Sequence, residues 1–259
     1  MKEIFSLDSV HFSYASRPIL NDISLSICDG EVACLLGPNG SGKTTLLKLM
    51  LGLLTPISGN IQFSGKALQS IPQKLLAREL AYVPQLHREA FTYTVEDVVL
   101  MGRLPWHSFF SAYNAADLVE TEKAMSRLGI EHLRHRAYTE ISGGERQLTL
   151  IARALAQGAK VFIMDEPVNG LDYGNQIRLL TRIQKLATEG YTFIITTHFP
   201  DHALHTADRT ILLKEGRIVA DGTPRQTITS RTIQELYAVD VNVVPVNGES
   251  SVCLPTWSN

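Results

Sequence analysis

The order of apolar and polar positions along the 259-residue chain changes its period several times, and each change marks an element. Apolar and polar residues alternate in "IFSLDSVHFSY" and "ILNDISLSIC", the period of two expected of half-buried strands, which predicts an antiparallel layer at the N-terminal end. "EVACLLG" is a short apolar run and predicts a fully buried strand, with a helix following over 43–53. "SGNIQFSG" and "ELAYVPQ" predict two further strands. From about 95 to 157 the spacing turns helical in "VEDVVLMGR", "DLVETEKAMSRLGI" and "ERQLTLIARALAQG", with a Pro and aromatic break at "LPWHSFF". Strands return in "VFIMDEP", "YTFIITTH" and "RTILLKEGRIVADG", separated by helices over 173–189 and 200–207. Strands alternating with helices predict crossover connections on a mainly parallel sheet. The expected fold class is therefore α/β, with an antiparallel β layer and an inserted helical subdomain over about 87–157. The tail "VNVVPVNGESSVCLP", in a short extension over about 238–259, predicts a hairpin turning near Asn247 and Gly248.

Composition narrows this picture. A 44% hydrophobic content supports a core without cross-links, in one domain spanning 1–259 with a sub-lobe. A formal charge of −2 offers no global attraction to a polyanion, and no nucleic-acid partner is expected. The three cysteines, Cys28, Cys34 and Cys253, lack metal-site spacing and predict buried free thiols in a reducing compartment. "MKEIFSLDSV" lacks the apolar core of a signal peptide, and "LLKLMLGLLTPI", interrupted by Lys48 and Pro56, falls short of the ~20 residues that span a bilayer. Membrane association is expected only through a partner.

The strongest local signal is "GPNGSGKT", Gly37 to Thr44, lying between an apolar strand and a helix. Gly37, Gly40 and Gly42 let the main chain wrap closely around phosphates, and Pro38, Asn39 and Ser41 complete the loop. N–H groups at the helix start bind the anion, while Lys43 supplies a point charge for β and γ phosphates. The Thr44 hydroxyl suits Mg²⁺, and Thr45 can hydrogen-bond the α phosphate. In "VFIMDEP", four apolar residues end at Asp165 and Glu166. Alone this reads as a solvated turn; beside a phosphate loop, Asp165 becomes a Mg²⁺ ligand and Glu166 the group that orients and deprotonates an attacking water. A second helix start, "ISGGERQ", also points free N–H groups outward, although for the isolated motif a flexible turn capped by Ser142 is the default reading.

These motifs, taken in order, resemble the nucleotide-binding subunit of an ATP-binding cassette transporter over nearly the full length. They are Tyr14, the phosphate loop, Gln85 in "AYVPQ", "ISGGERQ", "VFIMDEP", "NGLD" ending at Asp172, and His198 in "TTH". The resemblance implies a RecA-like P-loop NTPase core, ATP as ligand with Mg²⁺, and hydrolysis of ATP. It implies Tyr14 as the adenine-stacking aromatic, Gln85 as a sensor of γ-phosphate and Mg²⁺, and His198 as a γ-phosphate contact. It further implies a head-to-tail homodimer, in which each ATP lies between one subunit's phosphate loop and the partner's Ser142, Gly143, Gly144 and Glu145. Transmembrane permease subunits, and through them an external substrate-binding protein, are the implied partners, placing the chain peripherally on the cytoplasmic face of the membrane.

Two departures from the family pattern stand out: Ile141 and Glu145 where the signature commonly has Leu and Gln, and Val168 where Thr commonly follows Asp-Glu-Pro. Glu145 sits where the helix dipole favours a carboxylate, yet near an incoming triphosphate, so a tuned affinity is expected. "NGLD" puts Asn169 where the family often has Ser. His198, His202 and His205 share one predicted helical face, read either as a polar face or as a metal site. Phe91, Trp106, Phe109 and Phe110 fill the helical lobe or line a groove for a partner helix. "FTYTVEDVVLMGRLPWHSFF" and "LYAVDVNVVP" resemble the ATPases of bacterial metal-chelate importers, which serve iron–siderophore, haem, cobalamin and in some members molybdate uptake. The competing classes are a soluble cassette ATPase acting on nucleic acid or the ribosome, and a P-loop kinase.

Overall fold

The computed structural model describes residues 2–85, 93–108, 111–246 and 250–256. In chain order the elements are β1 (Glu3–Tyr14), β2 (Arg17–Cys28), β3 (Val32–Leu36), α1 (Lys43–Met50), β4 (Ser58–Phe63), β5 (Lys66–Ala67), α2 (Gln73–Glu79) and β6 (Leu80–Val83). They continue with α3 (Val95–Leu100), α4 (Ala115–Leu128), α5 (Gly143–Ala156), β7 (Val161–Met164), α6 (Tyr173–Thr188), β8 (Thr192–Thr197) and α7 (Pro200–Thr206). The chain ends in β9 (Arg209–Lys214), β10 (Arg217–Gly222), α8 (Pro224–Thr227), α9 (Ser230–Tyr237), β11 (Val241–Val246) and β12 (Ser250–Pro255). Two compact units divide it: Met1–Ile71 with Leu186–Asn259, and Pro72–Lys185.

In the first unit, β1 pairs antiparallel with β2 and with β4, in the order β2-β1-β4-β5. The period of two holds on either side of a bulge between Leu7 and Val10: Phe5, Leu7, Val10 and Phe12 of β1 and Ile23, Leu25 and Ile27 of β2 are buried. A second set runs β10-β9-β3-β8, with β3 parallel to both β8 and β9. All five residues of β3 are buried, the continuous apolar run of a parallel strand covered on both faces. β11 and β12 form the predicted tail hairpin, from Val241 opposite Pro255 to Val246 opposite Ser250. The expected turn residues, Asn247 and Gly248, lie outside the described residues.

In the second unit, β6 and β7 pair in parallel, from Leu80 opposite Val161 to Val83 opposite Met164. Three of its helices open on reciprocal side-chain caps: Thr94 with Asp97 at α3, Asn114 with Asp117 at α4, and Ser142 with Glu145 at α5. Asp117 is 2% exposed and tolerates burial because the Asn114 N–H (2.8 Å), Arg103 Nε (3.0 Å) and His107 Nε2 (2.7 Å) all reach its carboxylate. Burial alone would raise its pKa; those partners outweigh it and hold the carboxyl below the usual range.

The expected break between helices is present, and two expectations are corrected. The break at "LPWHSFF" begins as a 3₁₀ helix, Met101–Trp106, which approaches α5 so closely that a side chain at Gly102 would overlap the Arg153 carbonyl. Trp106 does not fill a core: it is 44% exposed, donates Nε1–H to the Gln157 carbonyl at 2.8 Å, and has the guanidiniums of Arg78 and Arg103 at 4.5 and 5.0 Å from its ring centre. Phe91, Phe109 and Phe110 lie outside the described residues. Cys34 is buried as expected, and burial, then Asp208, raises its thiol pKa to about 12; Cys28 and Cys253 are only half-buried, and all three are free. No helix among the described residues is long and apolar enough to cross a membrane.

Candidate functional site

The phosphate loop leaves the C-terminal end of β3 and enters α1, and contacts to the main chain on several sides fix its path. Gly37 packs so tightly on the β9 main chain that a Cβ there would overlap the Leu213 carbonyl. The Ser41 carbonyl accepts from Gly216 N–H, at the β9–β10 turn, at 3.0 Å. Gly42 stands at φ +106, where an added Cβ would come within 2.7 Å of Leu20 Cδ2. Inside this loop the buried Lys43 ammonium donates to the carbonyls of Gly37 (2.7 Å) and Pro38 (3.1 Å). Ser41 is 3% exposed, and its hydroxyl has no hydrogen-bond partner among the described residues. A buried ammonium resting on loop carbonyls, beside an unsatisfied buried hydroxyl, is a cradle whose polar groups fit an anion. Thr45 is buried; Thr44, Asn39 and Gly40 are exposed.

His198 belongs to the same unit. Leu36 of β3 lies opposite Thr197 of β8, so Gly37 and His198 are the next residues out of adjacent parallel strands. Such carboxyl ends are where ligands bind in open α/β sheets. The Tyr237 hydroxyl donates to the His198 carbonyl at 3.2 Å, and the Phe199 ring meets those of His198 (4.1 Å) and His202 (4.8 Å) at tilted angles. α7 begins at Pro200, so His198 precedes it and the three histidines do not share a helical face. Burial lowers the His202 pKa below the usual imidazole value. No cluster of three or more metal-ligating residues exists among the described residues. Tyr14 closes β1, is 45% exposed, and meets Phe12 edge-on at 4.9 Å.

The second unit repeats the geometry. Val83 lies opposite Met164, so Gln85 and the Asp165–Glu166 pair emerge from adjacent parallel ends, and Asp165 N–H donates to the Val83 carbonyl at 3.0 Å. Asp165 is 7% exposed, and its charge adds to burial in pushing the Tyr82 phenol up to about 12. Glu166 takes φ +46, a left-handed conformation uncommon outside glycine. Asn169 Nδ2 donates to Glu166 Oε2 at 3.1 Å. Asp172 caps α6, accepting from Asn175 N–H (2.9 Å) and Nδ2 (2.6 Å).

At the start of α5, Ser142 Oγ accepts from Glu145 N–H at 3.3 Å, and Glu145 Oε2 accepts from Ser142 N–H at 2.7 Å. Those Ser142 bonds hold the Glu145 carboxyl below the usual range. The spacing Ser-x-x-Glu carries this capping box openly in the sequence, a second meaning of Glu145 beside its charge. Gly144 packs on Asn175: a Cβ there would come within 2.8 Å of the Asn175 Cγ. Sequence reasoning missed Asn175, because no motif joins residues of α5 and α6.

The profile of the ABC transporter family matches residues 20–169, more than half of the chain. The chain belongs to the ABC transporter family. It is 38% identical over 236 residues to a hemin import ATP-binding protein of Aliivibrio fischeri, covering 90% of this chain and 89% of that one. It is 33% identical over 241 residues to a petrobactin import ATP-binding protein of Bacillus anthracis, covering 93% and 89%. Among solved structures, a chain from one described as an inward-facing metal-chelate type ABC transporter superposes with a TM-score of 0.88 at 30% identity, covering 99% of this chain and 98% of that one. As an ABC transporter ATP-binding protein, the chain binds and hydrolyses ATP, and its fold is that of the family's P-loop ATPases.

Proposed function

We propose that this ABC ATPase works as a homodimer on the cytoplasmic face of a cell membrane, bound to transmembrane permease subunits, and energises import of a metal chelate such as haem, a ferric siderophore or cobalamin, or of an oxyanion such as molybdate. The observation that carries this reading is similarity, over 99% of this chain, to a chain from a structure described as a metal-chelate type transporter. The hemin and petrobactin relatives support it at 38% and 33% identity. A substrate-binding protein outside the membrane would deliver the cargo to the permease.

In this reading Lys43 releases the Gly37 and Pro38 carbonyls and turns to the β and γ phosphates, while main-chain N–H groups of 37–45 bind the rest of the triphosphate. Tyr14 stacks on adenine. Thr44, Gln85 and Asp165 offer a hydroxyl, an amide oxygen and a carboxylate, a hard-oxygen set suited to Mg²⁺, which when bound neutralises phosphate charge. Glu166 accepts the proton of the attacking water, and His198 contacts the γ-phosphate. Ser142, Gly143, Gly144 and Glu145 of a second subunit present the α5 N-terminus to the same γ-phosphate, in the place an arginine finger takes elsewhere. ATP thereby joins two subunits, and hydrolysis lets them part, which drives the permease.

The test is uptake by membrane vesicles holding this chain with its native permease and binding protein, supplied separately with haem, a ferric siderophore, cobalamin and molybdate. ATP-dependent accumulation of one cargo, abolished by Glu166→Gln, is expected. Undiminished uptake by Glu166→Gln overturns the motor reading, and failure of every cargo overturns the import reading.

A further inference from the structure

The turn between β7 and α6 ties two residues together twice. Asn169 N–H donates to the Glu166 carbonyl at 3.0 Å, and Asn169 Nδ2 donates to the Glu166 carboxylate at 3.1 Å. The main-chain bond closes a turn in which Glu166 is held at φ +46, a conformation uncommon in side-chain-bearing residues and favoured by surroundings that hold it. Those surroundings are present: Pro167 and Val168 are buried, and Val168 accepts from Leu171 N–H at 3.2 Å. The turn thus gives the Asn169 amide a fixed origin, and the amide in turn fixes the direction of the Glu166 carboxylate.

We infer that Asn169 is a positioning residue for ATP hydrolysis, acting through Glu166. The inference rests on the proposed role of Glu166 as proton acceptor. In that step the water oxygen bonds to the γ-phosphorus as the bond to the β–γ bridging oxygen breaks. ADP keeps the electron pair of the broken bond, and the water proton passes to the Glu166 carboxylate. A carboxylate swinging about its side-chain torsions meets that proton less often than one clamped to its own turn, so the amide acts on turnover and leaves nucleotide binding alone.

The experiment uses the full chain purified with its permease. It compares wild type, Asn169→Ala, Asn169→Asp, Glu166→Gln and the double variant Asn169→Ala/Glu166→Gln, reading kcat and KM for ATP together with Tm. Asn169→Ala should lower kcat by about tenfold while KM stays within about twofold, the split expected when an interaction matters only in the transition state. Asn169→Asp keeps the shape but replaces the donor with a second carboxylate, and should lower kcat at least as far. With Glu166 already replaced, Asn169→Ala should change the residual rate by less than about twofold, because the two act as one unit. Wild-type kcat in Asn169→Ala, or the same proportional loss with and without Glu166, overturns the inference. Wild-type hydrolysis by Glu166→Gln removes the base assignment instead, a result read from that single variant alone.

Discussion

The phosphate loop and the signature turn both lead into helix N-termini, of α1 and α5, but they are held in opposite ways. Around Gly37 and Ser41 the contacts are mostly to main chain: the Leu213 carbonyl, the Gly216 N–H, and the loop carbonyls that receive Lys43, with the Leu20 side chain against Gly42. Around Ser142 and Gly144 they are to side chains: Glu145 closes the capping box, and Asn175, itself bonded to Asp172 and to Arg178 Nη1 at 3.1 Å, lies against Gly144. Main-chain contacts are the same whatever the neighbouring residue, so they fix a geometry that substitution elsewhere cannot adjust. Side-chain contacts change with one codon. Under the proposed function, the signature turn would therefore be where affinity and rate are tuned, and the phosphate loop where they are kept or lost.

The largest expected effect breaks the rigid side of this comparison. Lys43→Ala removes a buried ammonium from a cradle whose other groups are dipoles, and ATP hydrolysis should fall by about 10³-fold or more. A steady-state assay giving rates within about tenfold of wild type would mean that the loop dipoles suffice without the point charge.

A smaller effect is expected on the side-chain-held turn, and it should be reversible by a second substitution. Gly144→Ala puts a methyl group 2.8 Å from the Asn175 Cγ, a distance at which Asn175 must move off Asp172 or α5 must lift. Overpacking of this kind costs about 1–3 kcal/mol in chemical denaturation. Asn175→Ala vacates the space, so the double variant should be more stable than the sum of the two single losses by about 1 kcal/mol. Additivity within about 0.5 kcal/mol would show that the two helices do not bear on each other there.

The contrast also explains what could be read in advance. Contiguous stretches carry the phosphate loop and the Asp165–Glu166 strand end, and a period of two marks β1 and β2, so a linear reading reaches them. Gly144 against Asn175 depends on how α5 meets α6, and no local pattern encodes it. Trp106 reads as core from its apolar neighbours, but its exposed ring is flanked by Arg78 and Arg103, which a hydrophobicity pattern counts as surface. The i, i+4, i+7 spacing of His198, His202 and His205 suggests one helical face, until Pro200 starts the helix two residues too late for the first of them. The proposed roles of Gln85, Tyr14 and His198 rest on family resemblance, and the structure places each of them at or just beyond a strand end.

The smallest expected effect sharpens the comparison most, because Glu145→Gln changes one charge and almost no shape. Glutamine can also close a capping box, so the bond to the Ser142 N–H is kept in weaker form. What disappears is the attraction of a carboxylate for the α5 N-terminus, about 0.5 kcal/mol once solvent screening of this half-exposed group is allowed for. The sign follows from the lowered folded-state pKa: bonds from Ser142 favour the charged form in the folded chain more than in the unfolded one. Glu145 therefore contributes its stability above the ordinary carboxylate pKa, and loses it as pH falls through the lower folded value. Denaturation curves should show wild type ahead of Glu145→Gln at pH 7, with the gap closing below about pH 4. Because Glu145 is already turned back onto Ser142, its charge is partly satisfied before any triphosphate arrives, and the variant's ATP affinity should differ from wild type by no more than about fivefold, or 1 kcal/mol. A gap that widens toward acid would mean that Glu145 opposes folding and that its capping role is not what holds the turn.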